Sequence, residues 1–207
     1  TQRAGRIVVG IDHAPHIAPR RRGRTCRKIC FSVRVLTQGF WPTQRYRELT
    51  LSRDMAAAKT CFDEWYRERH SHRILSWVYA LGDVMVKGAF CSRSYDIIVT
   101  TFQAMALLNF SDFGGYIDFS EICEQMHIDP ATGKRVLHSL ACGKHRILKK
   151  TGNPRTINSS TDQFCIEATF TSKLRRFSIQ MSALDGESKK KIDQELQQQR
   201  CYNVDAT

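Results

Sequence analysis

Cys26 and Cys30, with His13 and His16 upstream, are the first side chains in this sequence of a type that binds metal. Zinc sites of the finger type pair a short cysteine spacing with a second pair of ligands further on. Here the spacing is Cys-x3-Cys and no second pair follows, so no metal site is expected. The other candidates for chemistry fail for similar reasons. His70 and His72 flank an apolar run but have no serine or cysteine nucleophile motif beside them. Glu64 and Glu68 stand four residues apart, a spacing that suits a solvated helix face better than an acid and base working on one substrate. There is no G-x-x-x-x-G-K-[ST] loop, and Gly114-Gly115 reads as a hinge between two units. We therefore expect no catalytic residue, no metal and no cofactor. Arg20, Arg21, Arg22 and Arg24 form a basic cluster suited to polyanion contact or nuclear localisation, with a merely solvated tail as the plainer alternative.

The charge of the chain is concentrated where that cluster lies. The formal net charge is +12, but residues 1–30 carry eight basic side chains against Asp12 alone, which makes +7. The remaining 177 residues carry 24 basic and 19 acidic side chains, which makes +5. Residues 1–30 have no sustained periodicity and are expected to be a basic, largely disordered tail. The eight cysteines are scattered, none in a C-x-x-C pair, which suits reduced thiols in an intracellular protein. No signal-peptide core and no apolar run of about 20 residues is present, so no membrane association is expected.

The elements that must position any functional surface centre on residues 70–110. Ile74–Tyr79, Asp83–Ala89 and Tyr95–Val99 are three short apolar runs, a β-meander closed at its second turn by Cys91-Ser92-Arg93-Ser94. From Thr101, an expected N-cap, Phe102, Met105 and Leu108 recur at helical spacing in a segment that is apolar nearly all round. Before this core, Phe31, Val33 and Val35 alternate as a half-buried strand. A helix capped by Ser52 or Asp54 then carries Met55, Ala58, Phe62 and Trp65 as a stripe expected to face the sheet. Phe62, Trp65 and Tyr66 read as core rather than as a ligand cage.

A second unit follows. Tyr116–Phe119 is a very short strand, Ser120 a cap for one helix, and Asp129-Pro130 the start of another that ends at Gly143. Arg146–Lys150 and Gln163–Glu167 read as strands joined by a polar wing. Strand, helix, helix, strand, wing, strand is the winged-helix order. Its second helix and the following turn carry Lys134, Arg135, His138, Lys144, His145 and Arg146. They form a basic flank that permits phosphate contacts but lacks a set spaced for reading base edges. Nucleic-acid binding is therefore an alternative and docking on protein the preferred reading. Lys173–Gln180 is a last alternating strand, and Glu187–Ala206 a polar helix.

Six collinear stretches together resemble a known family: VLTQGFWPT from Val35, CFDEWYRERHSHRILSWVYALGDV from Cys61, TFQAMALLNF, LHSLACGKHRILKK from Leu137, FTSKLRRFSI from Phe170 and RCYNVDA from Arg200. In order and spacing they are similar to the cullin homology region, with the nearer likeness to cullin-1-type proteins of plants, over about Phe31 to Ala206. The resemblance implies an α+β fold, a mixed sheet with packed helices plus a winged-helix domain. It divides the chain into a tail at 1–30, an α/β domain at 31–110, a winged helix at 111–169, a returning strand at 170–182, and a linker with the start of a terminal helix and second winged-helix domain at 183–207. It also implies a non-catalytic scaffold of a cytoplasmic and nuclear ubiquitin ligase, whose partner is a RING-box protein that in turn recruits a ubiquitin-charged E2. The RING-box protein adds a strand to the sheet, and the matching strands here are Phe31–Thr37, Ile74–Leu81 and Leu174–Gln180. Val33, Val35, Leu75, Trp77, Phe177 and Ile179 are the expected contact or framing residues, with intramolecular core as the alternative for each. The sequence reads as a fragment shortened at both ends, so that neither adaptor binding nor a neddylation lysine is carried over, and an unpartnered sheet of this kind is expected to aggregate.

Overall fold

Val84, Val86 and Phe90 in one run and Tyr95, Ile97 and Val99 in the next are buried in alternation with less buried neighbours, which is the pattern of two strands burying one face. In the computed structural model they form β2 (Asp83–Phe90) and β3 (Arg93–Thr100), paired antiparallel along their whole length, with Val86 opposite Ile97 and Phe90 opposite Arg93. That register leaves only Cys91 and Ser92 in the turn. Cys91 takes a left-handed φ of 53°, as two-residue hairpins require. The structure describes residues 7–10, 30–33, 35, 49–70, 72–91, 93–152, 156–157 and 161–181.

Helix α2 (Thr101–Phe113) follows β3 directly and is buried all round over residues 101–107, as its composition predicts. Its N-cap is Thr100, one residue earlier than expected. The Thr100 side chain accepts from the Gln103 N–H, and the Gln103 side chain reaches back to the Thr100 N–H, a reciprocal capping box. Gly114 ends the helix in the left-handed region, φ 71°. Helix α1 (Arg53–Arg69) precedes the hairpin, with Ser52 at its N-cap.

The next segment has the element order read from the sequence. Strand β4 (Ile117–Asp118) leads into α3 (Phe119–Met126), and α4 (Pro130–Ala141) starts with Pro130 at its first position and the Asp129 carboxylate accepting from the Thr132 N–H at 2.9 Å. Strands β5 (Leu148–Lys150) and β6 (Gln163–Ile166) complete a three-stranded sheet of order β4-β6-β5. The cap of α3 is Asp118 rather than Ser120. Finally β7 (Arg176–Ser178) returns to the first sheet, parallel to β3, and makes that sheet mixed.

Both sheets share one core through α2. A single hydrophobic cluster runs from Val86 and Ile97 through Leu107 and Phe110 to Leu137, Leu140 and Phe164. Gln103 crosses it. Fully buried, it donates from Nε2 to Ser139 Oγ at 2.7 Å and accepts the Thr100 N–H at 2.9 Å, so it caps α2 and ties it to α4 at once. Gln103→Leu leaves both groups without that partner and is expected to cost about 1–3 kcal/mol, read as a lower urea midpoint at unchanged slope.

Three expectations about strands need correction. Among the described residues of Phe31–Thr37 none is in a strand, and Ile74–Leu81 is irregular up to a 3-10 turn at Tyr79–Leu81. A strand needs a neighbour with open hydrogen-bonding groups, and the edge of β2 is instead taken over Met85–Gly88 by β1 (Ile7–Gly10), which lies within the stretch expected to be disordered. The sheet order is thus β1-β2-β3-β7. The rest of residues 1–29, with the basic cluster, and residues 182–207, with the expected polar helix, lie outside the described residues.

Candidate functional site

Phe31 and Trp77 come from two segments rich in β-favouring residues and lie together on α1. Phe62, midway along α1, is the hub. Its ring centroid is 6.5 Å from that of Phe31, 5.8 Å from Trp77 and 5.5 Å from Trp65, and Phe31 and Trp77 are 6.1 Å apart. Edge-on and tilted contacts at these separations are favourable beyond the area they bury. Trp77 is further fixed by its indole N–H, which donates to Asp63 Oδ1 at 2.8 Å, while Asp63 pairs with Lys59 at 3.4 Å, one turn earlier. Arg69 lies over the Trp65 ring at 4.8 Å. This cluster is a half-buried satellite of the main core, so Phe62 faces Phe31 and Trp77 rather than the sheet. Of the α1 stripe, Met55 alone joins the main core, where its neighbour Ser52 donates its N–H to Met105 Sδ.

The six residues expected to frame a partner separate into two groups. Val33, Leu75 and Trp77 are half-buried, Trp77 in the cluster, and Val35 is 45% exposed. Ile74, which the sequence did not single out, is 100% exposed. Phe177 and Ile179 lie elsewhere, buried in the main core on the β7 side. Phe177 packs against Tyr95, Phe170 and the ring of His145, and the Ile179 N–H donates to Ile98 O at 2.9 Å. The structure therefore brings Trp77 and the Phe31 segment together and holds Phe177 and Ile179 apart from them.

Residues considered for chemistry are dispersed. Glu64, Glu68, His70 and His72 are exposed, and His70 stacks on Tyr66. Cys30 is exposed, while Cys26, His13, His16, Arg20, Arg21, Arg22 and Arg24 lie outside the described residues. Among the described residues no group of three or more His, Cys, Asp or Glu side chains is placed to hold a metal, and no helix is long and apolar enough to cross a membrane. Cys123 is a poor nucleophile, because burial pushes its thiol up to about 11. Of the basic flank, Lys134, Lys144 and Arg146 are exposed, but His145 is committed to its ring stack on Phe177 at 4.2 Å.

Burial, with the Lys144 charge beside it, lowers the His145 pKa below 6.5. The unfolded chain then binds a proton that the folded chain resists, so this contribution to stability is present above pH 6.5 and is lost as pH falls through the lowered value. Unfolding midpoints should decline between pH 7 and 5 more steeply in the wild type than in His145→Gln.

Residues 35–170 match the family model of the cullin alpha+beta domain, and the chain belongs to the cullin family. It is 37% identical over 179 residues to Cullin-1 of Oryza sativa subsp. japonica, a match covering 86% of this chain and 24% of that protein. Cullin-2 of Arabidopsis thaliana is 37% identical over 176 residues, covering 85% and 23%, and Cullin-4A of Mus musculus is 32% identical over 180 residues, covering 86% and 24%. The chain thus spans about a quarter of the length of these relatives. The family-model match takes in β2 and β3 of the first sheet, the α2 helix and the whole second sheet, and the α+β class read from the sequence is the class of the family.

Proposed function

We propose that this chain is a non-catalytic scaffold segment that docks a RING-box protein by strand addition, within a cullin-type ubiquitin ligase of the cytoplasm and nucleus. The observation that carries the reading is a pair of β-favouring segments, residues 30–33 with 35 and residues 73–78, that are in no strand, together with a sheet whose long β2 edge carries, among the described residues, only a four-residue partner. Ile74 is fully exposed there. An extended strand from a partner satisfies such backbone by β-augmentation, with side chains such as Ile74 and Val35 setting register. Transfer chemistry then belongs to the E2 that the RING-box protein recruits. The unit from β4 to β6 has the order of a winged helix, and its α2–α4 contact through Gln103 supports a structural role.

The test uses the full chain with Val35→Asp and Ile74→Asp combined. Both positions are exposed, so circular dichroism and the unfolding midpoint should stay as in wild type. Affinity for a RING-box protein should drop at least tenfold, whereas Leu174→Asp, an exposed position just before β7 at the edge of the sheet opposite β1, should leave it unchanged. Equal affinity of all three chains would sink the strand-addition reading.

A further inference from the structure

The four residues Ile7–Gly10 pair antiparallel with the middle of β2: Ile7 opposite Gly88, Val8 opposite Lys87, Val9 opposite Val86 and Gly10 opposite Met85. All of residues 11–82 intervene between the two strands, so the pairing is non-local. A short strand closes so long a loop only onto an edge that offers its own unmet hydrogen-bonding groups. β2 is such an edge. All eight of its residues pair with β3 on one side, and on the other β1 covers Met85–Gly88 and leaves the two ends, Asp83–Val84 and Ala89–Phe90, without a strand partner among the described residues. The sequence of the occupant, Ile-Val-Val-Gly, is β-branched and uncharged, the composition that suits an added strand.

From this we infer that the β2 edge at Met85–Gly88 is an acceptor site for an extended apolar strand, and that Ile7–Gly10 is its intramolecular occupant, which an incoming partner strand must displace. The competition rests on the strand-addition reading above; the acceptor site does not. Occupancy by four residues on a long tether is self-limiting. The tether supplies a high effective concentration, but a longer partner strand reaches the ends of β2 that β1 leaves uncovered. The tail thereby shields an edge that would otherwise invite pairing between copies of the chain, and lowers affinity for a partner by the fraction of time the edge is closed.

The experiment compares the full wild-type chain with a full chain carrying Val8→Pro and Val9→Pro, since proline removes the ladder N–H groups of β1 and touches nothing in β2 or β3. Hydrogen exchange should show that the amides of Met85–Gly88 pointing away from β3 are protected in the wild type and exposed in the variant. A synthetic peptide of residues 5–12, added in trans, should protect them again. RING-box protein should bind the variant about tenfold more tightly, as expected for an edge open about a tenth of the time in the wild type. Equal protection of these amides in both chains overturns the intramolecular strand, and failure of the peptide to restore protection overturns the acceptor site. Loss of protection with unchanged RING-box affinity overturns the competition. Protection that is lost and restored as described, in chains that both ignore the RING-box protein, supports the acceptor site and overturns the docking reading instead.

Discussion

Asp162→Ala should cost about 3–5 kcal/mol of stability, the largest single effect expected outside the apolar core. Asp162 Oδ2 lies 2.7 Å from Lys150 Nζ, and the two side chains are 2% and 4% exposed. Lys150 also donates to the Thr156 carbonyl, so the pair fastens both ends of the loop between β5 and β6. Removing the carboxylate leaves an ammonium group buried with one neutral acceptor, and the cost is dominated by that uncompensated charge. The pair is not itself strong evidence of stabilisation. Lys150→Met with Asp162→Leu should therefore recover much of the loss, because no charge is then left behind. Urea unfolding of the two single variants and the double variant checks this, and a double variant as unstable as Asp162→Ala would contradict the account.

Phe177→Ala is expected to cost about 3–5 kcal/mol as well, for the different reason that it opens a cavity. The ring lies between Tyr95, Phe170 and His145, with centroids 6.3, 5.8 and 4.2 Å away. β7 pairs with β3 over only three residues, so Phe177 is the main anchor of that strand. The measurement is a thermal or urea midpoint, combined with the exchange rates of β3 amides. It also decides the role of the residue: a Phe177 that acts on a partner directly would leave the midpoint unmoved, whereas a core Phe177 lowers it and weakens binding only through the fold.

Local pattern made most of the fold legible in advance. The alternation in β2 and β3, the apolar α2 and the Asp129-Pro130 start of α4 all express one residue's preference or one short period, and each is present. Phe31–Thr37 and Ile74–Leu81 were equally β-like, yet none of their described residues is in a strand, because alternation states that a segment has one face to bury and not which neighbour will pair with it. In this chain the pairing went to Ile7–Gly10. The clue was present as three consecutive β-branched residues, but it sat among basic and Pro/Gly-rich neighbours whose composition pointed to disorder. Trp77 lies beside Phe31 on α1, while Phe177 and Ile179, with the same alternation, sit in the core. Nothing in a single strand's sequence distinguishes a face that meets its own protein from one that meets a partner.

The central claim is that the chain holds a RING-box protein on its sheet. The most direct test is co-expression of the full chain with a RING-box protein, followed by size-exclusion chromatography and hydrogen exchange on the eluted peak. The account predicts a one-to-one complex in which amides of residues 73–78 and of the β2 edge become protected relative to the chain alone. A soluble, folded chain that elutes separately from the RING-box protein, with those amides unchanged, would contradict it.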